Sequence, residues 1–264
     1  MIDIPSLLRD LDAVRQQSPL IHNITNYVVM NNTANGLLAI GASPVMAHAI
    51  DEVADMASIA SALVINIGTL DAQWVESMLA AGKTALSKGI PVILDPVGAG
   101  ATPYRTAVCK QIIAECKPCI IRANASEIMA LYNAAEKTKG VDSTDSSDTA
   151  LDSAKALAKQ TGAIVVVSGQ TDYITDGTTI KTVKNGNPMM ARVTGMGCTA
   201  TAMVATFAAV NPNILEAATH GMAVMGIAGE IAATKSSGNG SLQVNFLDEL
   251  YNLNGDTIKT NIKQ

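Results

Sequence analysis

The segment Val193-Thr194-Gly195-Met196-Gly197-Cys198-Thr199 carries the strongest chemical signal in this chain. Its two glycines let a ligand approach the backbone with no Cβ in the way. An apolar run of helix length follows, so unpaired N–H groups and the positive end of a helix dipole converge there. Gly195, Met196, Gly197 and Cys198 would together form an anion hole suited to a phosphate in transfer. Cys198 falls in the first helical turn, where the dipole is expected to lower a thiol pKa. The thiol could then act as a general base on a hydroxyl. The same residues also read as a tight glycine turn ahead of an Ala/Thr-rich helix with a small buried cysteine.

Further candidates follow other strand-like runs. Asp95 ends Ile93-Leu94-Asp95 and precedes Pro96-Val97-Gly98-Ala99-Gly100. A carboxylate at a strand tip can hold Mg²⁺ through waters, or simply start a turn. Arg122 and Asn124-Ala125-Ser126-Glu127 come next. Asn124 with Glu127 three residues on is a capping box. Glu127 could instead stand beside metal-bound water, with Arg122 against a nucleotide phosphate, which suits a planar guanidinium. Ser168-Gly169 could touch a nucleotide. Asn23, Thr25, Asn26, Asn31, Asn32, Thr33 and Asn35 are more polar groups than helix capping requires, and a small-ligand pocket would explain the excess. Met46 could wall such a pocket or be plain core.

The elements that must position these groups alternate along the chain. Strands are predicted at Leu20–Ile24, Pro44–Ala47, Ala62–Ile67, Pro91–Asp95, Cys119–Arg122 and Ala163–Ser168. Several are continuous apolar runs, as expected for a parallel sheet buried on both faces. Helices are predicted near 28–40, 51–60, 71–88, 104–116, 126–132 and 148–160, after an amphipathic N-terminal helix bearing Leu7, Leu11 and Val14. This β-α alternation predicts an α/β, three-layer α-β-α domain with a mostly parallel central sheet. Beyond Ser168 the pattern changes to short strands over 171–193, with hairpin turns predicted at Asp176-Gly177 and Asn185-Gly186. Helices near 197–210, 213–234 and 242–251 complete the chain. The polar stretch Lys137–Asp148 reads as a surface loop or short linker within one domain spanning 1–264. In open α/β sheets, ligands bind beyond the carboxyl ends of the strands, where the candidates above fall.

Composition removes several classes. The 264 residues are 48% hydrophobic, 16% charged and 3% aromatic, which excludes disorder and requires an aliphatic core. The net charge of −5 argues against electrostatic nucleic-acid binding. Ala200–Val210, the most apolar stretch, is shorter than the ~20 residues a membrane span takes, so no membrane association is expected. The acidic N-terminal segment lacks the features of a signal peptide, and a cytoplasmic location is expected. Cys116-Lys117-Pro118-Cys119 is a lone C-x-x-C, either a redox pair, half a zinc site, or two unrelated small residues between a helix and a strand. No Walker A, G-x-G-x-x-G after the first strand, H-E-x-x-H or G-x-S-x-G is present.

Taken in order, the segments from about Ser18 to Leu247 resemble the hydroxyethylthiazole kinase family, which has a ribokinase-like fold. The resemblance lies in Ile24–Val29, Gly41–Met46, Asn66–Leu70, Asp95–Pro103, Arg122–Glu127 and Val193–Cys198. It implies ATP-dependent phosphorylation of 4-methyl-5-(2-hydroxyethyl)thiazole in thiamine salvage. It also implies Asp95 and Glu127 at Mg²⁺, Arg122 and Ser168 at ATP, and Asn26, Met46, Gly68 and Gly195 at the thiazole alcohol. Gly195 to Cys198 would form the anion hole, with Cys198 where most ribokinase-like enzymes carry a catalytic Asp. A homotrimer with sites at subunit interfaces is implied as well. Met196 departs from the family's usual Ala, and Ser168 stands where Thr is frequent. The same-fold alternatives are a hydroxymethylpyrimidine or pyridoxal kinase and a nucleotide-dependent NAD(P)H-hydrate dehydratase. Both would normally carry Asp at position 198.

Overall fold

The computed structural model describes residues 1–135 and 146–264. The polar stretch Lys137–Asp148 thus lies outside the described residues, except for its last three, which open a helix. The strands are β1 (Leu20–Ile24), β2 (Ser43–Val45), β3 (Ala62–Asn66), β4 (Val92–Asp95), β5 (Ile120–Asn124), β6 (Ile164–Ser168), β7 (Asp172–Thr175) and β8 (Ile180–Val183). They form one sheet in the order β2-β1-β3-β4-β5-β6-β7-β8. Pairing is parallel from β2 through β6 and antiparallel for β7 and β8.

The helices are α1 (Ile4–Gln17), α2 (Met30–Ile40), α3 (Val53–Ile59), α4 (Ala72–Lys88), α5 (Pro103–Cys116), α6 (Ala125–Ala135), α7 (Ser146–Thr161), α8 (Met196–Ala208), α9 (Ile214–Thr234), α10 (Asn239–Asn252) and α11 (Gly255–Asn261). Polar side chains start several of them. Asp3, Asp71 and Thr102 accept the N–H groups of Ser6, Trp74 and Arg105, and Gly41 and Gly89 end α2 and α4 in the left-handed region.

Alternation along each buried strand divides the core into two layers. Ile21, Val64, Ile93 and Val166 pack with α1, α2, α8, α9 and α10. Ile24, Leu63, Ile65, Leu94 and Val167 pack with α3, α4, α5 and α7 on the opposite face. This is the expected three-layer α-β-α architecture. Strand β1 lies between β2 and β3, so the chain winds one way from β1 and the other way from β3. The crevice at their carboxyl ends is the topological switch point where such sheets bind ligands.

Two local expectations are corrected. Asp176-Gly177 does turn the β7–β8 hairpin, but Asn185-Gly186 makes none: β8 ends at Val183 and a 3₁₀ turn follows at Pro188–Arg192. Tertiary partners claim the dipeptide instead. Asn185 Nδ2 donates to Glu230 and to the Asn261 carbonyl, each at 2.8 Å, and the Gly186 N–H donates to Glu230 at 2.9 Å. Helix α11 was not expected; Asn254 caps it by accepting the N–H groups of Asp256 and Thr257.

The C-x-x-C is two structural cysteines. Cys116 ends α5, buried so tightly against α4 that a Cβ on Gly82 would lie 2.3 Å from its sulfur. Cys119 donates to the Val92 carbonyl at 3.4 Å. Burial pushes both thiols up to about 11, which leaves them unreactive. All four cysteines are free. Among the described residues, no helix is long and apolar enough to cross a membrane.

Candidate active site

At the switch point, the tips of β1, β3 and β4 and the start of α8 meet in one hydrogen-bonded path. Asn26, just past β1, donates through Nδ2 to Asn66 Oδ1 at 3.1 Å and to Cys198 Sγ at 3.5 Å. Asn66, at the tip of β3, donates to Asp95 Oδ2 at 2.8 Å. The Thr201 hydroxyl, from α8, donates to the same Asp95 oxygen at 2.8 Å. The Gly68 N–H donates to Asn66 Oδ1 at 2.9 Å. Gly68 has to be glycine here, because a Cβ would stand 2.6 Å from the Asn26 amide nitrogen.

The second half of the site lies across β5 and β6. Arg122 donates from one terminal nitrogen to the Gly197 carbonyl at 3.1 Å and from the other to Ser168 Oγ at 2.7 Å. Ser168 in turn donates to the Ala123 carbonyl at 3.2 Å. Among the described residues, only neutral oxygens hold the guanidinium by hydrogen bonds, so its charge remains available to an anion. Gly195 takes φ +88, left-handed backbone that starts α8 with no side-chain cap. Among the described residues no backbone carbonyl accepts the N–H of Gly197 or Cys198, whereas that of Met196 donates to Val193 at 3.4 Å. Gly197 and Cys198, together with Gly195, whose N–H likewise has no backbone acceptor, are therefore the freer donors of the expected anion hole.

Glu127 performs the cap and more. Its Oε2 accepts the Asn124 N–H at 3.0 Å while Asn124 Oδ1 accepts the Glu127 N–H at 2.9 Å, which completes the capping box. Its Oε1 accepts the Gly98 N–H at 2.8 Å and so ties the loop after Asp95 to the start of α6.

Burial dominates the electrostatics. Asp95 is pushed up to about 6 by desolvation, which the nearby Arg122 charge and the Thr201 hydrogen bond oppose and the Glu127 charge reinforces. Cys198 is pushed up to about 11 by desolvation first and the Asp95 charge second, against weaker hydrogen bonds from Asn66 and Asn26. This corrects the expected lowering by the helix dipole. At neutral pH the side chain is a thiol, because removal from water and an adjacent carboxylate outweigh the end of α8.

The sequence model of the Hydroxyethylthiazole kinase family matches residues 11–256. The chain belongs to the hydroxyethylthiazole kinase family. A hydroxyethylthiazole kinase from Leptospira biflexa serovar Patoc is 56% identical over 97% of this chain and 96% of its own length. The structure of a hydroxyethylthiazole kinase protein from Pyrococcus horikoshii OT3 superimposes with a TM-score of 0.91 at 41% identity, covering 98% of each chain. A ribokinase-like superfamily protein from Enterococcus faecalis V583 overlays with a TM-score of 0.61 at 14% identity, over 88% of this chain and 86% of that one. That likeness shows the ribokinase-like fold alone.

This member of the hydroxyethylthiazole kinase family brings Asn26, Gly68, Asp95, Arg122, Glu127, Ser168 and the Gly195–Cys198 turn to one end of its sheet. Met46 follows β2 at the same end, one strand outward from Asn26 and outside the hydrogen-bonded path. Three contributors escaped the sequence reading. Asn66 links Asn26, Gly68 and Asp95; the available signal was a polar residue ending a strand buried throughout. Thr201 is one of several threonines in an Ala/Thr-rich helix, and its local sequence does not set it apart. Arg105 donates to the carbonyls of Ile67, Gly68 and Val97 at 2.8, 2.9 and 2.7 Å, binding the loops after β3 and β4 together. Nothing in its local sequence marks it.

Proposed function

We propose that this kinase transfers the γ-phosphoryl group of ATP to the hydroxyl of 4-methyl-5-(2-hydroxyethyl)thiazole, a step of thiamine salvage, with residues 1–264 acting as one domain. The observation that carries the reading is the continuous path from Cys198 through Asn26 and Asn66 to Asp95, in a chain of this family. It joins an acceptor side to a phosphate side. On the acceptor side stand Asn26, Met46, Gly68 and Gly195. Both Asn26 donor contacts run from Nδ2, so the amide oxygen remains to accept the substrate hydroxyl. On the phosphate side, Arg122 and Ser168 contact ATP, and the N–H groups of the Gly195–Cys198 turn face the charge that develops in transfer.

Asp95 and Glu127 would hold Mg²⁺ through water. Their hard oxygen donors already accept protein N–H or O–H groups, and no group of three or more metal-binding side chains occurs among the described residues. That suits an ion that keeps several waters and binds through one or two carboxylates and substrate phosphates. When bound, it would neutralise phosphate charge.

The high pKa of Cys198 argues for orientation over proton abstraction. Phosphoryl transfer has a loose transition state, so the attacking hydroxyl need lose little of its proton early. Loss of a general base costs about 10²–10⁴ in rate. Cys198→Ala is expected at the mild end of that range or below it, because the backbone donors remain. Cys198→Asp is expected to be faster than the parent. A carboxyl ionises far more readily than a thiol, and Mg²⁺ would offset much of the repulsion from the Asp95 charge, which raises the group at this position. The Asn26 and Asn66 amides could donate to the new carboxylate. The check is kcat for the three forms at saturating ATP and thiazole. An inactive Asp form that folds and binds ATP would remove Cys198 from beside the hydroxyl.

We extend the proposal to a cytoplasmic homotrimer with sites at subunit interfaces. Tyr27 and Val28, directly after Asn26, are 59% and 68% exposed, which is apolar surface at the site's edge. The deciding assay is ADP release with Mg-ATP and each of the thiazole alcohol, hydroxymethylpyrimidine, pyridoxal and hydrated NADH. Turnover confined to the thiazole alcohol supports this reading, and turnover with another compound alone overturns it.

A further inference from the structure

Asp172 is the first residue of β7, and only 7% of its surface is exposed. Its Oδ1 accepts the N–H of Gly169 at 2.9 Å. Pairing between β6 and β7 starts at Val167 with Tyr173, so residues 168 to 172 lie beyond the ladder. Among the described residues, no backbone carbonyl accepts the Gly169 N–H. Beyond the last ladder pair, the Asp172 carboxylate therefore supplies the acceptor for Gly169 that the backbone does not. Gly169 directly follows Ser168, whose hydroxyl receives Arg122 at 2.7 Å. A bonded sequence thus runs from Asp172 through Gly169 and Ser168 to the guanidinium. The Arg122 charge also acts on the Asp172 carboxyl, although no hydrogen bond joins the two. Asp172 can thus supply opposite charge nearby without occupying the donors that a phosphate needs.

We propose that Asp172 is a positioning residue for nucleotide binding: by holding the Gly169 N–H it sets the turn that presents Ser168 and Arg122 to the ATP phosphates. This rests on the reading of Arg122 and Ser168 as ATP contacts. Burial pushes the carboxyl up to about 6, so it is ionised at pH 8 and accepts the N–H at full strength.

The test compares full-length parent, Asp172→Ala and Asp172→Asn at pH 8. Binding of Mg-ATP is measured by calorimetry without acceptor, and KM and kcat by ADP release. Asp172→Ala is expected to raise Kd and KM for ATP about tenfold, the scale of one lost positioning bond. Its kcat at saturating ATP and its KM for thiazole should stay within about twofold. Asp172→Asn keeps an oxygen for Gly169 and should recover most of the ATP affinity. If alanine prevents folding, Asp172→Val suits a strand, offers Gly169 no acceptor, and replaces it in the comparison. A purely structural role predicts a lower melting temperature with unchanged ATP affinity, and that result overturns the proposal. So does an asparagine form as weak as the alanine form. Parent protein that binds ATP yet fails to phosphorylate the thiazole alcohol would sink the proposed acceptor and leave this comparison intact.

Discussion

Arg122→Ala is expected to lower kcat/KM for ATP by about 10²–10⁴, the largest effect of any single change at this site. Charge-assisted hydrogen bonds contribute about 1.5–3 kcal/mol each, and the guanidinium can direct two of them at phosphate oxygens. Binding phosphate would mean exchanging or sharing its present partners, the Gly197 carbonyl and Ser168 hydroxyl, which hold it without neutralising it. Arg122→Lys keeps a positive charge but loses the planar fork, so it should recover only part of the loss. The loss should fall mainly on KM for ATP and on kcat, with KM for the thiazole little changed. An alanine variant with the parent's ATP kinetics would remove Arg122 from the phosphate side.

Asp95→Asn is expected to lower kcat by about 10²–10³, the usual scale for removing one electrostatic contributor to a transition state. The substitution preserves shape at a residue that is 2% exposed, so the fold should survive. It removes the charge that the Asn66 and Thr201 donors are arranged around. Glu127→Gln tests the second carboxylate, with two outcomes that separate. The new amide cannot accept both the Gly98 and Asn124 N–H groups, so a loss of about 0.5–2 kcal/mol in stability is expected from the cap alone. A metal role adds a fall in kcat at temperatures where the variant is fully folded. Melting curves and kcat measured on the same preparation decide. A destabilised Glu127→Gln with normal kcat would leave Glu127 as a cap and loop tie only, and an Asp95→Asn with normal kcat would dismiss the metal reading altogether.

Much of the fold was legible because it is written in short-range pattern. Continuous runs such as Ile164-Val165-Val166-Val167 require burial on both faces, and their alternation with helix-length segments leaves a parallel three-layer sheet. The site's location followed, since Asn26, Asp95 and Ser168 sit just at or after strand ends, and all such ends of a parallel sheet face one way. The segments from Ile24 to Cys198 also carried the family. Even Glu127 was legible as a capping box, because a cap is a contact between residues three apart.

The tertiary structure alone decided which of these groups meet and what protonation state they take. Asn66 lies 40 residues from Asn26 and 29 from Asp95, a meeting that strand order sets and local sequence does not. The Asn185-Gly186 dipeptide has the composition of a hairpin turn, yet Glu230 on a distant helix takes its donors. Cys198 shows the same limit for electrostatics. Its place at a helix start is local and visible, and it predicts a lowered pKa. The desolvation that raises the thiol comes from non-local packing around it, and the charge that adds to this comes from Asp95 at the tip of β4. Hydrophobic period and turn chemistry act over a few residues and can be read from a line of text, whereas desolvation and side-chain encounter depend on what the folded chain brings from elsewhere.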